Sequence, residues 1–480
     1  MSMTRRDNYD VVIIGAGIGG LVCGCYLAKA GMNVLISEQH FKAGGYCTSF
    51  KRKGFVFDAA AHSFGSYRET GNMYKIVKEL ELDKIVEIKK FNPTDIIMAP
   101  DCTISFWEDN NKTIRELQNA FPAEAQNIET FIRHLTGLRP IDFASFRRIT
   151  FKNLLDKYFC DEKLKSILAL PVLGNGALPP SIISAFTGSK IFTEFLLDGG
   201  YYPKGGMQAL SDALAQKFKE FGGVLRLSQP VKRILTEGKR VSGIVLDKGD
   251  FVAARYVVSN CDARQTFFKL LGKKLLGKSV IQKINYMIPS LSTFILYLGI
   301  DASFQSLPTP GTNLWYLPDY DLDKAYSFAK TGDINNVKGF MVRYSPDKKT
   351  ILSFVITSFK SKRYWDSNKE ILLESFIKRI EEHAIPDLSR HIIYKEAATP
   401  YTLYRYTGNY RGAAYGWASL PSQLFTPELR QATSIHGLYL TGHWTTQTQG
   451  IPGVAYIGSD TAKVILRKEQ NPRYHKPLMN

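Results

Sequence analysis

The sequence has no C-x-x-C pair and no alternation of cysteine with histidine at zinc-site spacing; its six cysteines, Cys23, Cys25, Cys47, Cys102, Cys160 and Cys261, are scattered. Those absences exclude a zinc finger and a dithiol redox motif, and leave reduced thiols of a cytosolic protein as the expectation. Cys23 and Cys25, two apart on a predicted helix, point in different directions and make no local pair. Long apolar runs are missing too. The one run long enough to suggest a span, Val11 to Ala28 after Arg5 and Arg6, carries five glycines among its eighteen residues. Their spacing reads instead as strand, turn and helix, which sets aside a signal peptide or anchor. Zinc-finger, RNA-binding and long basic-block signatures are absent, so nucleic acid is not expected as a partner.

What is present is enough apolar material for several packed units. With 480 residues and 44% hydrophobic content, the chain can build two or more domains around an internal cavity. Lysine and arginine number 62 against 44 aspartates and glutamates, a net +18. Such an excess favours anionic partners, whether a membrane surface, nucleic acid or an acidic substrate, and the sign alone does not choose. A cytoplasmic location, with peripheral membrane contact left open, is the corresponding expectation.

The N-terminus carries the most specific pattern. Tyr9-Asp-Val-Val-Ile-Ile is a short, β-branched apolar run of the kind that forms a buried parallel strand, and Gly15-Ala-Gly17-Ile-Gly19-Gly20 follows it directly. A helix is expected from Leu21 to about Lys29, closed by Gly31, and Asn33-Val-Leu-Ile-Ser opens a second strand ending at Glu38. The glycines divide the work, Gly15 making the tight turn, Gly17 allowing close approach of a pyrophosphate and Gly20 allowing close helix–strand packing. Glu38 can accept from ribose hydroxyls and would repel a 2′-phosphate. A lone G-x-G-x-x-G is weak evidence, but strand, glycines, helix and acid occur here in order. No second such motif follows a strand after residue 20, so no NAD(P)H domain is expected.

Further blocks lie far along the chain. Gly44-Gly45 stands six residues past Glu38, and Gly54-Phe-Val-Phe-Asp58 has the look of a short strand. Tyr202-Pro-Lys-Gly205-Gly206-Met207 leads into a helical stretch to Phe221, and the run from Gln229-Pro-Val231 through Val241–Leu246 to Tyr256–Asn260 reads as a small β-meander. Near the C-terminus, Gly437-Leu-Tyr-Leu-Thr-Gly442-His443 is a strand and glycine turn, and Gln449-Gly450-Ile-Pro452-Gly453-Val454 is a helix entry. Proline in a helix's first turn leaves no bond unmade, and the free N–H groups around it can face an electron-rich ring edge.

Together these blocks, over roughly residues 8–66, 200–262 and 395–467, resemble the phytoene desaturase, carotenoid isomerase and retinol saturase group of FAD-dependent oxidoreductases. The Gly-Ile-Pro-Gly-Val string and the stretch Thr399-Pro-Tyr-Thr402 to Tyr415-Gly416 are similar to the group's own. The resemblance implies FAD, with Gly15, Gly17, Gly19, Gly20, Glu38, Gly44, Gly45, Gly442, Gly453 and Val454 around it and the Val231 backbone at the adenine. Two departures stand out. His443 occupies a position where many flavoproteins carry aspartate, and Tyr46 stands where amine oxidases usually carry arginine after the glycine pair.

The implied fold class is α/β: a discontinuous Rossmann-like FAD-binding domain with an inserted α+β substrate domain. The expected division is 1–75, 200–284 and 429–480 for the FAD domain, 76–199 for a largely helical insertion, and 285–428 for a substrate domain with a mixed sheet. Asn119–Leu135 and Phe151–Leu173 read as amphipathic helical segments. Aromatics crowd the second insertion, including Tyr297, Trp315, Phe354, Tyr406 and Tyr415. Most are ordinary core, but a long apolar substrate offers no charge to grip, and its binding energy would have to come from such surface. Phe267 to Ile281 joins an apolar stripe to lysines, as in a helix lying on a membrane, or equally in a surface helix packed on its own domain.

The expected activity is desaturation, saturation or isomerisation at carbon–carbon bonds of a carotenoid, isoprenoid or related lipid, with quinone or oxygen as electron acceptor. The alternatives are an FAD oxidase for amines or other polar substrates, and a catalytically silent flavoprotein or lipid-binding module. No catalytic base is identified; His62, in Asp58-Ala-Ala-Ala-His, is a candidate beside a structural reading of the same residue.

Overall fold

The computed structural model describes residues 8–139, 141–301, 303–304, 309–445 and 449–470. Arg5, Arg6 and the tail after Gln470 lie outside them. Among the described residues two seven-stranded sheets dominate.

The first sheet runs in the order 231–237, 240–246, 251–259, 8–14, 34–37, 224–226, with 438–440 beside the end of 251–259. Strand Asn8–Ile14 is parallel to both of its neighbours, as its continuous apolar run requires. Side chains alternate across it. Val11 and Ile13 face the core shared with helices Ile18–Lys29 and Gly450–Glu469, while Val12 and Ile14 face Phe267, Leu270 and Trp417. The meander expected at 231–259 is present, but its last strand is nine residues long and doubles as a central member of the parallel sheet.

The second sheet runs 392–398, 292–300, 350–357, 340–344, 313–316, 95–98, 103–106. The segment 76–199 is thus not helical throughout. Its strands Asp95–Met98 and Thr103–Phe106 extend the sheet built by the later insertion, joined by a parallel pairing to Asn313–Tyr316. Short apolar runs such as Asp95-Ile-Ile-Met do not separate strand from helix by periodicity.

Two helical expectations also change. Asn119–Leu135 is interrupted at Phe121-Pro122, between helices Asn110–Ala120 and Ala125–Gly137. Phe151–Leu173 is two helices, Phe151–Leu155 and Glu162–Gly176, and the second is buried nearly all round, with Pro171 inside it. A helix covered on every side has no polar face to show.

The segment from Phe267 is not a membrane-surface helix. It breaks into a wide turn over Gln265–Gly272, a short tight turn over Lys273–Leu275 and helix Lys278–Tyr286. Phe267, Leu270, Leu271, Leu276 and Ile284 are all buried in the first domain's core. Each such burial contributes about 1.5–3 kcal/mol, so the apolar stripe is committed to its own domain, while the lysines and Tyr286 face out. No helix of the described residues is long and apolar enough to cross a membrane.

Candidate active site

The turn after the first strand is built around backbone. Gly15 has φ +96°, open to glycine at little cost, and its N–H donates to Ser37 O at 2.8 Å, locking the turn to the second strand. A Cβ on Gly20 would stand 2.2 Å from Gly15 O, so helix and turn could not close; Gly20 packs the turn and does not line the cavity. A Cβ on Gly17 would come within 2.9 Å of Asn260 Nδ2, and one on Gly19 within 3.1 Å of the Gly442 backbone. The cradle therefore joins segments from three distant parts of the chain. Gly44 N donates to Ala16 O at 2.8 Å, which lays Gly44 and Gly45 along Gly17.

Glu38 receives Ala16 N–H on Oε2 at 2.7 Å and His40 N–H on Oε1 at 2.8 Å. Burial pushes its carboxyl up, partly offset by those two donors. Each oxygen keeps a second acceptor site for a hydroxyl. Gln229 N–H donates to Glu38 O at 2.8 Å, and Ser37 Oγ donates to Gln229 O at 2.6 Å, which brings Val231 to the same end of the cavity.

The opposite end is framed by the C-terminal segments. His443 lines the cavity with its ring centroid 6.0 Å from that of Tyr46, and burial pushes its imidazole down to about 4. Tyr46 donates to Ala413 O at 3.0 Å, and burial pushes its phenol up to about 12. Helix Gly450–Glu469 starts at the wall. Gln449, Gly450, Ile451 and Val454 line the cavity; Gly453 does not. The first N–H groups of that helix have no partner inside it. Gln449 donates to Trp417 O at 2.7 Å, while its Oε1 is buried with no partner among the described residues.

Residues 59–63 form another wall. Ala59 N donates to Thr48 O at 2.8 Å and Ala61 N to Tyr46 O at 3.2 Å, while Tyr297 donates to Ala59 O and the buried Arg343 donates to His62 O. His62 is buried. Desolvation and the nearby guanidinium push its imidazole down to about 3, so it is neutral at physiological pH and a weak base.

One cavity of about 720 Å³ connects all of these groups and continues into a chamber walled by Ile191, Phe195, Ile295, Phe354 and Leu403. Of the aromatics expected from sequence, Tyr297, Phe354, Tyr406 and Tyr415 reach it, whereas Phe294 stacks on Trp365 in the core. The 399–415 stretch contributes Thr402, Leu403, Thr407 and Asn409 to its wall. Among the described lining residues the carboxylates are Glu38, at the dinucleotide end, and Glu396, which pairs with Arg52 at 3.6 Å and accepts from Tyr394 at 2.6 Å. Sequence reasoning missed Asn260 and Gln449. Each stood at the edge of a recognised block, but Asn260's place between the Gly15–Gly20 turn and Gly442, and Gln449's bond to Trp417 O, have no local signature.

The residues fit an FAD. Two helix starts with free N–H groups, a glycine surface a Cβ would fill and an acid with vacant acceptor sites line one cavity. Fold and cradle define a flavoprotein with a Rossmann-like domain and a second, sheet-floored domain over the same cavity. The chain belongs to the flavin-containing amine oxidoreductase family, whose pattern matches residues 18–466. It is 25% identical over 503 residues to an all-trans-retinol 13,14-reductase of Danio rerio, covering 91% of this chain and 82% of that protein. It is 26% identical over 519 residues to a chloroplastic prolycopene isomerase of Arabidopsis thaliana, covering 95% and 83%. These relatives fall in the group that the motifs resemble. Among solved structures, an oxidoreductase from Methanosarcina mazei superposes with a TM-score of 0.67 at 18% identity, covering 95% of this chain and 99% of that one. Putrescine oxidase bound to putrescine superposes with a TM-score of 0.64 at 15% identity, covering 96% and 99%. The protein is an FAD-dependent oxidoreductase.

Proposed function

We propose that the enzyme acts on carbon–carbon bonds of a long apolar chain, an isoprenoid or polyene, by desaturation, saturation or isomerisation. The observation that carries this reading is the cavity's continuity: a backbone-lined cradle opens directly into an apolar chamber that offers dispersion contact and few charges. Retinol reductase and prolycopene isomerase relatives support it. The diphosphate would lie over Gly15, Gly17 and Gly45, the adenine beside Val231, the ribose on Glu38, and the reacting ring between Tyr46, His443 and the start of helix Gly450–Glu469. Bound FAD would supply hydride exchange with the substrate carbon.

The protein's own share is placement. Tyr297 and Arg343 fix the 59–63 wall, Gln449 ties the start of helix Gly450–Glu469 to Trp417 O, and Ile295, Phe354 and Leu403 hold the chain while excluding water. His62, held neutral by burial and the nearby Arg343, lines the cavity with its ring 5.6 Å from that of Phe354. For desaturation the electrons would leave to a diffusible acceptor, a quinone or oxygen; for saturation a diffusible reductant would supply them, and isomerisation would need no net transfer.

The amine-oxidase reading has one observation in its favour, the fold shared with putrescine oxidase. A polyamine would need a carboxylate in the chamber, and Glu396 is already tied to Arg52. Anaerobic mixing of the purified holoprotein with a polyene or its saturated partner, and separately with putrescine, decides between the two. A change in flavin absorbance with the polyene pair alone is expected; bleaching by putrescine alone would overturn the proposal.

A further inference from the structure

The larger cavity ends against Phe354, and a second cavity of about 70 Å³ begins behind the same side chain. Register across the second sheet puts the two in line. Ala398 pairs with Ile295, Ile295 with Phe354, Phe354 with Met341, and Met341 with Trp315. Directly opposed residues point to the same face of a sheet, so these five side chains form one row on one floor. Ala398 and Ile295 line the larger cavity, Met341 and Trp315 the smaller, and Phe354 both.

The roof is continuous as well. On helix Glu162–Gly176, Asn175 lines the larger cavity and Gly174 the smaller. A Cβ at Gly174 would meet the Trp315 ring at 2.2 Å, so the indole occupies the space a side chain there would need. Trp315 is anchored, its Nε1 donating to Asp95 at 2.7 Å, and it meets Phe354 edge-on at 6.1 Å. Phe354 has no polar tie and is the replaceable element of the partition. The smaller cavity is walled by Leu173, Val337, Phe340 and Ile356, and Asp319, Lys324 and Lys338 also reach it. At ~10–15 Å³ per water-sized group it has room for about five or six, roughly the carbons of one isoprene unit.

We propose that Phe354 sets the length of chain the enzyme accepts: the substrate's apolar end stops at this ring, and the smaller cavity is its blocked continuation, a terminal subsite for one further isoprene-sized unit. The proposal rests on the apolar-substrate reading.

The test uses wild-type holoprotein, Phe354→Leu and Phe354→Ala with geraniol, farnesol, geranylgeraniol and longer all-trans isoprenoid alcohols, binding being followed by flavin fluorescence. In the wild type, affinity rises with each unit and then stops rising. In both variants that limit moves out by one unit, with about tenfold tighter binding of the first longer alcohol and unchanged binding of the shorter ones. Thermal melting identifies any variant that fails to fold, and the leucine variant, closer in volume, carries the comparison if the alanine variant does. Adding Gly174→Ala to Phe354→Leu, which drives Trp315 into the smaller cavity, restores the original limit. The same limit in wild type and both variants overturns the gate alone. No binding of any alcohol to any of the proteins overturns it together with the apolar-substrate reading.

Discussion

The cradle and the chamber are walls of the same cavity made from different material. In the cradle the surface is main chain: Gly15, Gly17, Gly44, Gly45 and Gly442 leave peptide groups bare, and an added Cβ at Gly17 or Gly442 meets the Asn260 side chain while one at Gly44 meets Cys47 O. In the chamber the surface is side chain: Ile295 and Phe354 stand on a sheet that would keep its register under other apolar residues, and Leu403 comes from helix Pro400–Thr407. Main chain cannot be trimmed by mutation, only covered. A site built from it is therefore specific and brittle, whereas a site built from side chains is adaptable.

The largest break in that comparison is Gly17→Val. Its branched side chain would press on Asn260 and stand over the cradle, and purified protein should hold flavin at least about 100-fold more weakly, ~3 kcal/mol, measured as flavin absorbance per polypeptide. Full flavin content in this variant would remove the cradle from the proposed site. Glu38→Ala comes next. It strands the Ala16 and His40 N–H groups and removes the hydroxyl acceptor, and titration of apoprotein with FAD should show a loss of about 1–3 kcal/mol.

An intermediate effect concerns pH. His62 has an ordinary value of 6.5 when unfolded and about 3 when folded. Between those values the unfolded chain binds more protons, so this group's contribution to stability is fully present above about pH 6.5 and is lost as pH falls toward 3. Melting temperatures of wild type and His62→Gln across that window should converge or cross as pH drops; a constant difference would show that the imidazole is not held neutral. The smallest effect is expected in the chamber. Ile295→Leu should leave flavin content untouched, alter KM for an isoprenoid substrate by less than about tenfold, and cost under ~1.5 kcal/mol of stability.

The same contrast explains what could be read from sequence. A site made of main chain advertises itself through glycine spacing, which is why the turn at Gly15–Gly20, the pair Gly44-Gly45 and the helix entry at Gln449–Val454 were visible, together with the Rossmann-like fold they imply. A site made of apolar side chains uses the residues any core uses. Phe354 and Phe294 stand on two paired strands and nothing local distinguishes them, yet one walls the cavity and the other packs on Trp365. The lysine-flanked stripe at Phe267 left two readings open, membrane surface or own domain, for a related reason. Amphipathicity records that an apolar face is covered, not what covers it, and here the first sheet does. The strands at 95–106 were hidden because their partner, Asn313–Tyr316, lies more than two hundred residues away.

Strand Leu438–Leu440 joins the first sheet beside 251–259, Gly442 then closes over Gly19, and Gly458 on helix Gly450–Glu469 sits against Gly19 O, where even a methyl group would come within 2.4 Å. The cofactor seat is thus begun by the first strand and finished only after both sheets have been laid down. A nascent chain that has not yet reached Gly442 can assemble most of both sheets and still have no floor for the prosthetic group. A chain cut short before Gly442 would lack that part of the proposed FAD seat.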